Sequence, residues 1–233
     1  DPAIRLCAEG VTMLAQFPST VYTQQVGSVL RVRPKYRDRL RVLFNPGAGA
    51  FIDGSGRNAK LNVSGTPKIV TKPGGNSLST AGTTDGINSA TASAAAEFTV
   101  LVVVRVLALV AGRYGYCQWA EGTASSTGPR MNMENNSGDH RIFWRQAIQI
   151  TEAGVMAANT LHAVALAGTP SGIVMWRNGV RTTAANAGLN AGTNIWFGNG
   201  YQFSSADQFV QLGAWWERAF GEEDLRSLSL NPW

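Results

Sequence analysis

The chain has 233 residues, a net charge of +5, 26 glycines, 9 prolines and only 15% charged residues. This length buries a core without help from disulfides or metals. The sparse charge excludes a coiled coil, and the 44% hydrophobic content excludes disorder. The longest apolar run, Phe98 to Ala111, is broken by Arg105 and is shorter than the roughly 20 residues of a membrane-spanning helix. The stretch after Asp1 shows no signal-peptide pattern. Cys7 and Cys117 form no C-x-x-C pair and read as unreactive thiols, with a bridge between them left open.

In chain order, Ala8 to Phe17 suits a short helix or strand that ends at Pro18. The charge then concentrates. Residues 1–44 carry 7 basic and 3 acidic groups, or +4, against 13 basic and 12 acidic groups, or +1, in the rest. Residues 31–44 read as extended, and Arg31, Arg33, Lys35, Arg37, Arg39 and Arg41 recur at every second position, on one face of such a strand. The stripe suits phosphates, an acidic protein surface or an anionic glycan. It also suits a solvated edge strand kept from pairing by its cations. Tyr36 is the one aromatic within it, which weighs against nucleic acid. This segment is the interface candidate.

From Asn45 the sequence turns loop-like, through Asn45-Pro-Gly-Ala-Gly49 and Asp53-Gly-Ser-Gly-Arg-Asn58. Lys60 to Val63 and Lys68 to Thr71 are short strand candidates, Pro73-Gly-Gly75 is a turn, and Thr80 to Ala96 is small and polar. Phe98 to Leu107 is the strongest strand, apolar on both faces as a strand covered from two sides requires. Further strands are expected at Arg141 to Ile150, Leu161 to Leu166, Gly172 to Arg177, Val180 to Thr183, Asn194 to Phe197 and Phe209 to Trp216. Asn178-Gly179 between two of them is a hairpin signal, because both turn residues reach positive φ. Adjacent Trp215 and Trp216 must point to opposite faces. A short helix starts at the acidic cluster Glu222, Glu223 and Asp224 and stops at Asn231-Pro232.

Catalytic patterns are thin. Glu222-x-Asp224 lies on that helix and lacks the second carboxylate of a glycosidase strand, so it reads as helix-start electrostatics. His162 sits mid-strand as a packed residue. His140 follows a polar stretch in which Glu134, Asp139 and His140 could gather a cation, or be ordinary loop residues. Gly54-x-Gly56-x-x-Ala59 lacks the helix that a dinucleotide fingerprint needs. Asp53-x-Ser55-x-Arg57 begins like a calcium loop but has Ser64 where Glu is required.

The strand Phe98-Thr-Val, then Leu161-His-Ala-Val-Ala165, Trp176-Arg-Asn-Gly-Val180 and Phe209 to Leu225 together resemble the laminin-G/concanavalin A-like jelly roll. Arg218, Phe220, Glu222, Glu223 and Leu225 fill its closing corner, and Phe44 to Gly49 with Asp53 to Asn58 resemble its opening loops. Asn231-Pro-Trp233 is similar to endings in phage and prophage versions. Asn178 stands where the family often has Asp, and Leu161 where it often has an aromatic. The resemblance spans about residues 40–233.

The resemblance implies an all-β jelly-roll sandwich of two antiparallel sheets over residues 42–233, with one short C-terminal helix; residues 1–41, set apart by their concentrated charge and outside that pattern, are expected to be a basic anchoring arm. It implies a non-enzymatic structural or adhesion protein on the surface of a phage virion, in capsid decoration or a tail or fibre. The alternative is a carbohydrate-binding module; a glycosidase lacks its carboxylates. Partners would be other virion proteins, further copies of the chain and host-surface glycans, with no membrane insertion. No cofactor is required; calcium is the one ion left open, and its ligands are unassigned. Glycan contacts are expected from loops 113–140 and 198–208, which carry Tyr114, Tyr116, Trp119, Asn135, Asn136, Asp139, Asn199 and Tyr201.

Overall fold

The computed structural model describes residues 34–48, 51–57, 59–72, 75–79, 85–90, 97–106, 113–120, 130–144, 147–185, 194–198 and 208–232. In chain order the strands are Leu40–Phe44 (β1), Asn62–Ser64 (β2), Lys68–Lys72 (β3), Gly75–Ser79 (β4), Gly86–Ala90 (β5), Phe98–Val106 (β6), Arg113–Ala120 (β7) and Arg130–Asn136 (β8). They continue with Asp139–Trp144 (β9), Ala147–Glu152 (β10), Thr160–Thr169 (β11), Gly172–Arg177 (β12), Val180–Ala185 (β13), Asn194–Gly198 (β14) and Gln208–Trp216 (β15). One helix, Glu222–Leu230 (α1), follows.

The strands form two antiparallel sheets. The first runs β13-β12-β11-β6-β15-β4-β3, with β1 also paired to β15. The second runs β10-β9-β8-β7-β14-β5-β2. β15 serves two partners on one side: Phe209 and Val210 meet β4, while Gly213 to Trp216 meet β1. This is the two-sheet sandwich expected from the sequence, with one α-helix among the described residues, near the C-terminus.

β6 explains the layering. Phe98, Val100, Val102, Val104 and Val106 point into the core between the sheets. Leu101 and Val103 point the other way, into a second cluster with Tyr36, Leu40, Trp216, Phe220, Leu225 and Leu228. A buried valine contributes about 1.5–3 kcal/mol, so neither face tolerates water. Helix α1 and the segment around Tyr36 therefore lid the outer face of the first sheet. Trp215 and Trp216 divide as alternation requires, Trp215 into the inter-sheet core and Trp216 beneath the lid. Thr99, fully buried, holds the corner before the helix: its hydroxyl donates to the Arg218 carbonyl (2.8 Å) and accepts from the Phe220 amide (2.9 Å).

The basic segment does not form the extended stripe read from its spacing. Pro34–Tyr36 is a 3-10 turn, Arg39 has a φ of 53°, and extended structure begins only at Leu40. The physical reason is burial. Tyr36 and Leu40 must enter the second cluster, and the chain has to bend to insert both. The Trp216 indole donates to the Tyr36 carbonyl (2.6 Å), and Arg218 donates to the Lys35 carbonyl (3.1 Å). Lys35 pairs with Asp224 (2.7 Å) and Arg41 Nε with Glu217 (2.6 Å). Residues 34–41, assigned by sequence to an arm, thus pack on the body. Arg37 and Arg39 are exposed, and Arg31 and Arg33 lie outside the described residues.

Other differences have local causes. Arg141 to Ile150 is not one strand but two, β9 and β10, paired through Ala147 and Trp144. The stretch 113–140, expected as loops, is mostly β7, β8 and the start of β9. Its strands carry buried Tyr116, Trp119 and Met133, and the polar Gln118, Glu134, Asn135 and His140 among them are buried as well. Asn178-Gly179 turns as expected, at φ 47° and 80°. The Asn178 side chain also extends β11, accepting from the Ala163 amide (2.8 Å) and donating to the Leu161 carbonyl (3.2 Å). A carboxylate there could not donate, which accounts physically for Asn.

Gly213 faces the core, where an added Cβ would lie 2.5 Å from the Phe197 ring. Gly213→Ala is expected to destabilise the fold by about 3 kcal/mol through overpacking, read as a lower urea midpoint with unchanged slope.

Candidate functional site

The tightest group of titratable side chains lies between the sheets where β9 and β10 approach β12 and β13. Each member sits in phase with core residues of its strand. His140 shares the inward face of β9 with Ile142, and Arg177 follows Ile173 and Met175 on β12. Glu152 ends β10. Its Oε2 accepts from His140 Nδ1 (2.9 Å) and Arg177 Nε (2.7 Å), and its Oε1 accepts from the Thr182 hydroxyl (3.0 Å). The second nitrogen of His140 meets the Tyr116 hydroxyl.

Protonation states follow from burial. Burial pushes the Tyr116 phenol well above its ordinary value, so it stays a donor. Burial lowers His140, against the opposing pull of Glu152, and leaves it neutral. Its Nδ1–H then donates to Glu152 and its Nε2 accepts the phenolic proton. Burial raises Glu152, but the bonds from His140 and Arg177 outweigh it and hold the carboxyl at about 2. The ion pair is therefore Arg177–Glu152, and the His140 contact is a neutral-donor hydrogen bond. His162 on β11 is brought near the same group. Burial first, then the nearby charge of Arg177, lower it to about 4. Its Nε2 meets the Thr160 hydroxyl (2.6 Å).

Tyr116, His140 and Glu152 line up like a proton relay, yet Tyr116 is 1% and His140 0% exposed. The chain of bonds joins the second sheet to β12 and β13 of the first and closes the sandwich along that side. Sequence reading missed Glu152, Arg177 and Thr182. The usable signal was Arg177, a cation in phase with inward-facing Ile173 and Met175, which demands a buried partner.

The expected glycan contacts scatter. Trp119 is fully buried and packs at a tilt in the core against Phe98 (4.3 Å between centroids) and Trp215 (4.6 Å). Tyr116 belongs to the buried relay. Neither reaches a ligand, because the inward phase of β7 carries both. Asn135 is buried and caps the turn at Ser137-Gly138 by accepting from the Gly138 amide (2.9 Å). Asn136 and Asp139 flank that turn, half-buried, and Asp139 accepts from the Gly154 amide (3.0 Å) and Arg141 (3.2 Å). Tyr114 lies on β7; Asn199 and Tyr201 fall outside the described residues.

Glu134, Asp139 and His140 do not gather. Neighbouring Asp139 and His140 take opposite faces of β9, and among the described residues no cluster of metal-ligating side chains forms. The Asp53 carboxylate is occupied by the amides of Leu43 (2.9 Å), Ser55 (3.0 Å) and Ala59 (2.8 Å), so it organises its own loop. Cys117 is a buried free thiol, and Cys7 lies outside the described residues.

No family model and no curated protein sequence matches the chain. Solved structures do. The botulinum neurotoxin serotype D ligand-binding domain in complex with N-acetylneuraminic acid is similar with a TM-score of 0.65 and 12% identity, over 83% of this chain and 51% of that one. The receptor-binding domain of the C/D mosaic neurotoxin gives the same values. A Trypanosoma rangeli sialidase mutant with trans-sialidase activity gives a TM-score of 0.67 and 14% identity, over 92% of this chain and 36% of that one. The chain thus spans about half of the toxin domains and just over a third of the sialidase. At these identities the likeness establishes the sandwich fold.

The buried histidines set an acid response. An unfolded chain protonates His162 near its ordinary 6.5, whereas the folded chain resists until about 4. Stability from this group is complete above pH 6.5 and is lost as pH falls toward 4, by up to about 3 kcal/mol. Glu152 adds a further loss from 4.5 down to about 2. His162→Gln should flatten the first decline in thermal midpoint between pH 7 and 4. An equally steep decline in that variant would remove His162 as its cause.

Proposed function

We propose that the chain is a non-catalytic carbohydrate-binding module that attaches a phage virion to a glycan-bearing surface. The observation that carries this reading is the structural likeness, over 83% of the chain, to a toxin domain solved with N-acetylneuraminic acid. The non-catalytic assignment is supported by the relay-like group. Its carboxylate is engaged by three donors and its phenol and imidazole are sealed from solvent. The virion setting is supported by the resemblance of the C-terminal Asn231-Pro-Trp233 to phage proteins. The reading names no cofactor, and calcium assistance is not built into it.

A single shallow site on such a module binds weakly, and many copies on one particle supply avidity. Densely immobilised chain is expected to retain multivalent glycans, to lose them as its surface density falls, and to release no free sugar. Release of sugar would replace the binding role with a hydrolytic one, and no retention at any density would end it.

The cations for a virion partner are then Arg37 and Arg39, exposed on the turn before β1, with Arg31 and Arg33 upstream. Replacing Arg37 and Arg39 with Ser should lower incorporation into particles without moving the unfolding midpoint, because their side chains lie outside the core. Incorporation equal to wild type would detach this segment from assembly.

A further inference from the structure

Five strands, β1, β3 and β13 of the first sheet and β2 and β10 of the second, have a side that meets no further strand among the described residues. Such an edge invites pairing with another chain unless something blunts it. Four of the five are blunted. β1 is bulged, and the 53–55 loop takes its free side. The Leu43 amide donates to Asp53 (2.9 Å), the Leu43 carbonyl accepts from the Gly54 amide (2.7 Å), and the Arg41 carbonyl accepts from the Ser55 hydroxyl (3.3 Å). β2 has only three residues, and β3 begins and ends with lysine, Lys68 and Lys72. β10 is broken by a bulge between Ile148 and Ile150. β13 has none of these devices. It runs for six residues in unbroken register with β12 and contains no lysine or proline.

The hairpin fixes which backbone groups of β13 face its open side. Asn178-Gly179 is a two-residue turn at φ 47° and 80°, so Arg177 and Val180 form the hydrogen-bonded pair that closes it. Alternation then turns the amides and carbonyls of Val180, Thr182 and Ala184 toward β12, and those of Arg181, Thr183 and Ala185 toward the open side. The side chains of these last three are exposed, and Val180 beside them is 53% exposed. The inner face is already committed, since Thr182 donates to Glu152 (3.0 Å) and Ala184 packs against the core. Arg181, the single charge of the strand, is matched by both carboxylate oxygens of Glu222 (2.7 and 2.5 Å). The body of α1 packs over β11 and β12, inside the edge. β13 is thus a neutral edge held in place by its own core.

We infer that β13 is a self-association edge, which pairs antiparallel with the same strand of a second copy about a two-fold axis at Thr183. The inference is independent of the carbohydrate-binding reading. A copy of this chain fits because the open positions are symmetric about Thr183. A two-fold axis perpendicular to the sheet keeps both inner faces on one side, so each residue meets one of the same phase. Thr183 meets the partner's Thr183, and Arg181 meets the partner's Ala185 on either side of the axis. All three open residues then exchange both backbone hydrogen bonds, and the long side chain lies against the small one. On the inner face Thr182 stands opposite the partner's Ala184. The two arginines are four residues apart across the axis and each keeps its own Glu222, so like charges do not meet.

The test is sedimentation equilibrium of the full chain with wild type and Thr183→Lys, and disulfide cross-linking of Thr183→Cys and Ala185→Cys. The cysteine variants carry Cys7→Ser, which leaves buried Cys117 as the other thiol. Wild type is expected to dimerise reversibly with a Kd on the order of 100 μM, because two short strands bury less than the about 1,600 Å² of a standard interface. Thr183→Lys sets two ammonium groups face to face on the axis and should raise the Kd at least about tenfold. The side chain is exposed, so the unfolding midpoint of the monomer should not move. Facing residues of a hydrogen-bonded pair lie about 5.5 Å apart, within disulfide reach, so Thr183→Cys should cross-link on oxidation. Ala185→Cys, four residues from its own copy, should not. Should Thr183→Lys fail to fold, the cross-linking pattern decides. A wild type that stays monomeric at about 300 μM overturns self-pairing. A dimer indifferent to Thr183→Lys overturns the edge, and cross-linking through Ala185→Cys in place of Thr183→Cys overturns the register.

Discussion

The structure depends on the burial of β6 on both faces. Its residues alternate between two apolar clusters, and the valines of each leave no side fit for water. A strand of this kind cannot sit at the surface of a two-layer sandwich without a third layer. The second sheet supplies cover on one side. On the other, α1 brings Leu225 and Leu228, the turn before β1 brings Tyr36, and β1 brings Leu40. Thr99, one of its two polar residues, is matched by the backbone of the corner it anchors. The N-terminal segment and the C-terminal helix are therefore linked by necessity, since both cover the same strand. The ion pairs around them, Lys35 with Asp224 and Arg218 with Asp38, lie at the rim, where exposed pairs contribute little. The apolar seal is what holds the two ends together.

A second constraint acts at the far side, where the sheets would otherwise gape between β10 and β13. Here the closure is polar. Glu152 reaches across to Arg177 and Thr182, and His140 and Tyr116 complete the chain of bonds. Such a group needs all its members, because a buried charge without its partner costs several kcal/mol. The same sealing that makes the bonds strong keeps them from acting on a substrate. Geometry reminiscent of a catalytic relay serves here as a latch.

Function on this scaffold belongs to outward faces and edges, because both core clusters are consumed in holding layers together. A sandwich of this shape hosts many unrelated roles, so fold likeness narrows the field without choosing within it.

The sequence by itself determined the class of fold. The two-faced apolar run at Phe98, the Asn178-Gly179 hairpin, the paired Trp215 and Trp216, and the acidic start of α1 are local signals, each dictated by strand period, turn stereochemistry or helix dipole. Local signals fail where a residue's fate depends on distant partners. The alternating cations at 31–41 looked like an extended stripe, and only the need to bury Tyr36 and Leu40 beneath α1 bends them. Trp119 looked like a loop aromatic, and only strand register places it against Phe98 and Trp215. Glu152 meets His140, 12 residues before it, across the β9–β10 pairing, but Arg177, 25 residues after it, joins them only when the two sheets close. Asn62, Asn88, Trp196 and Gln118 come from four strands spread over the chain and stand in one line across the second sheet. Pairing register aligns them, and register is a property of the whole sheet rather than of any one strand.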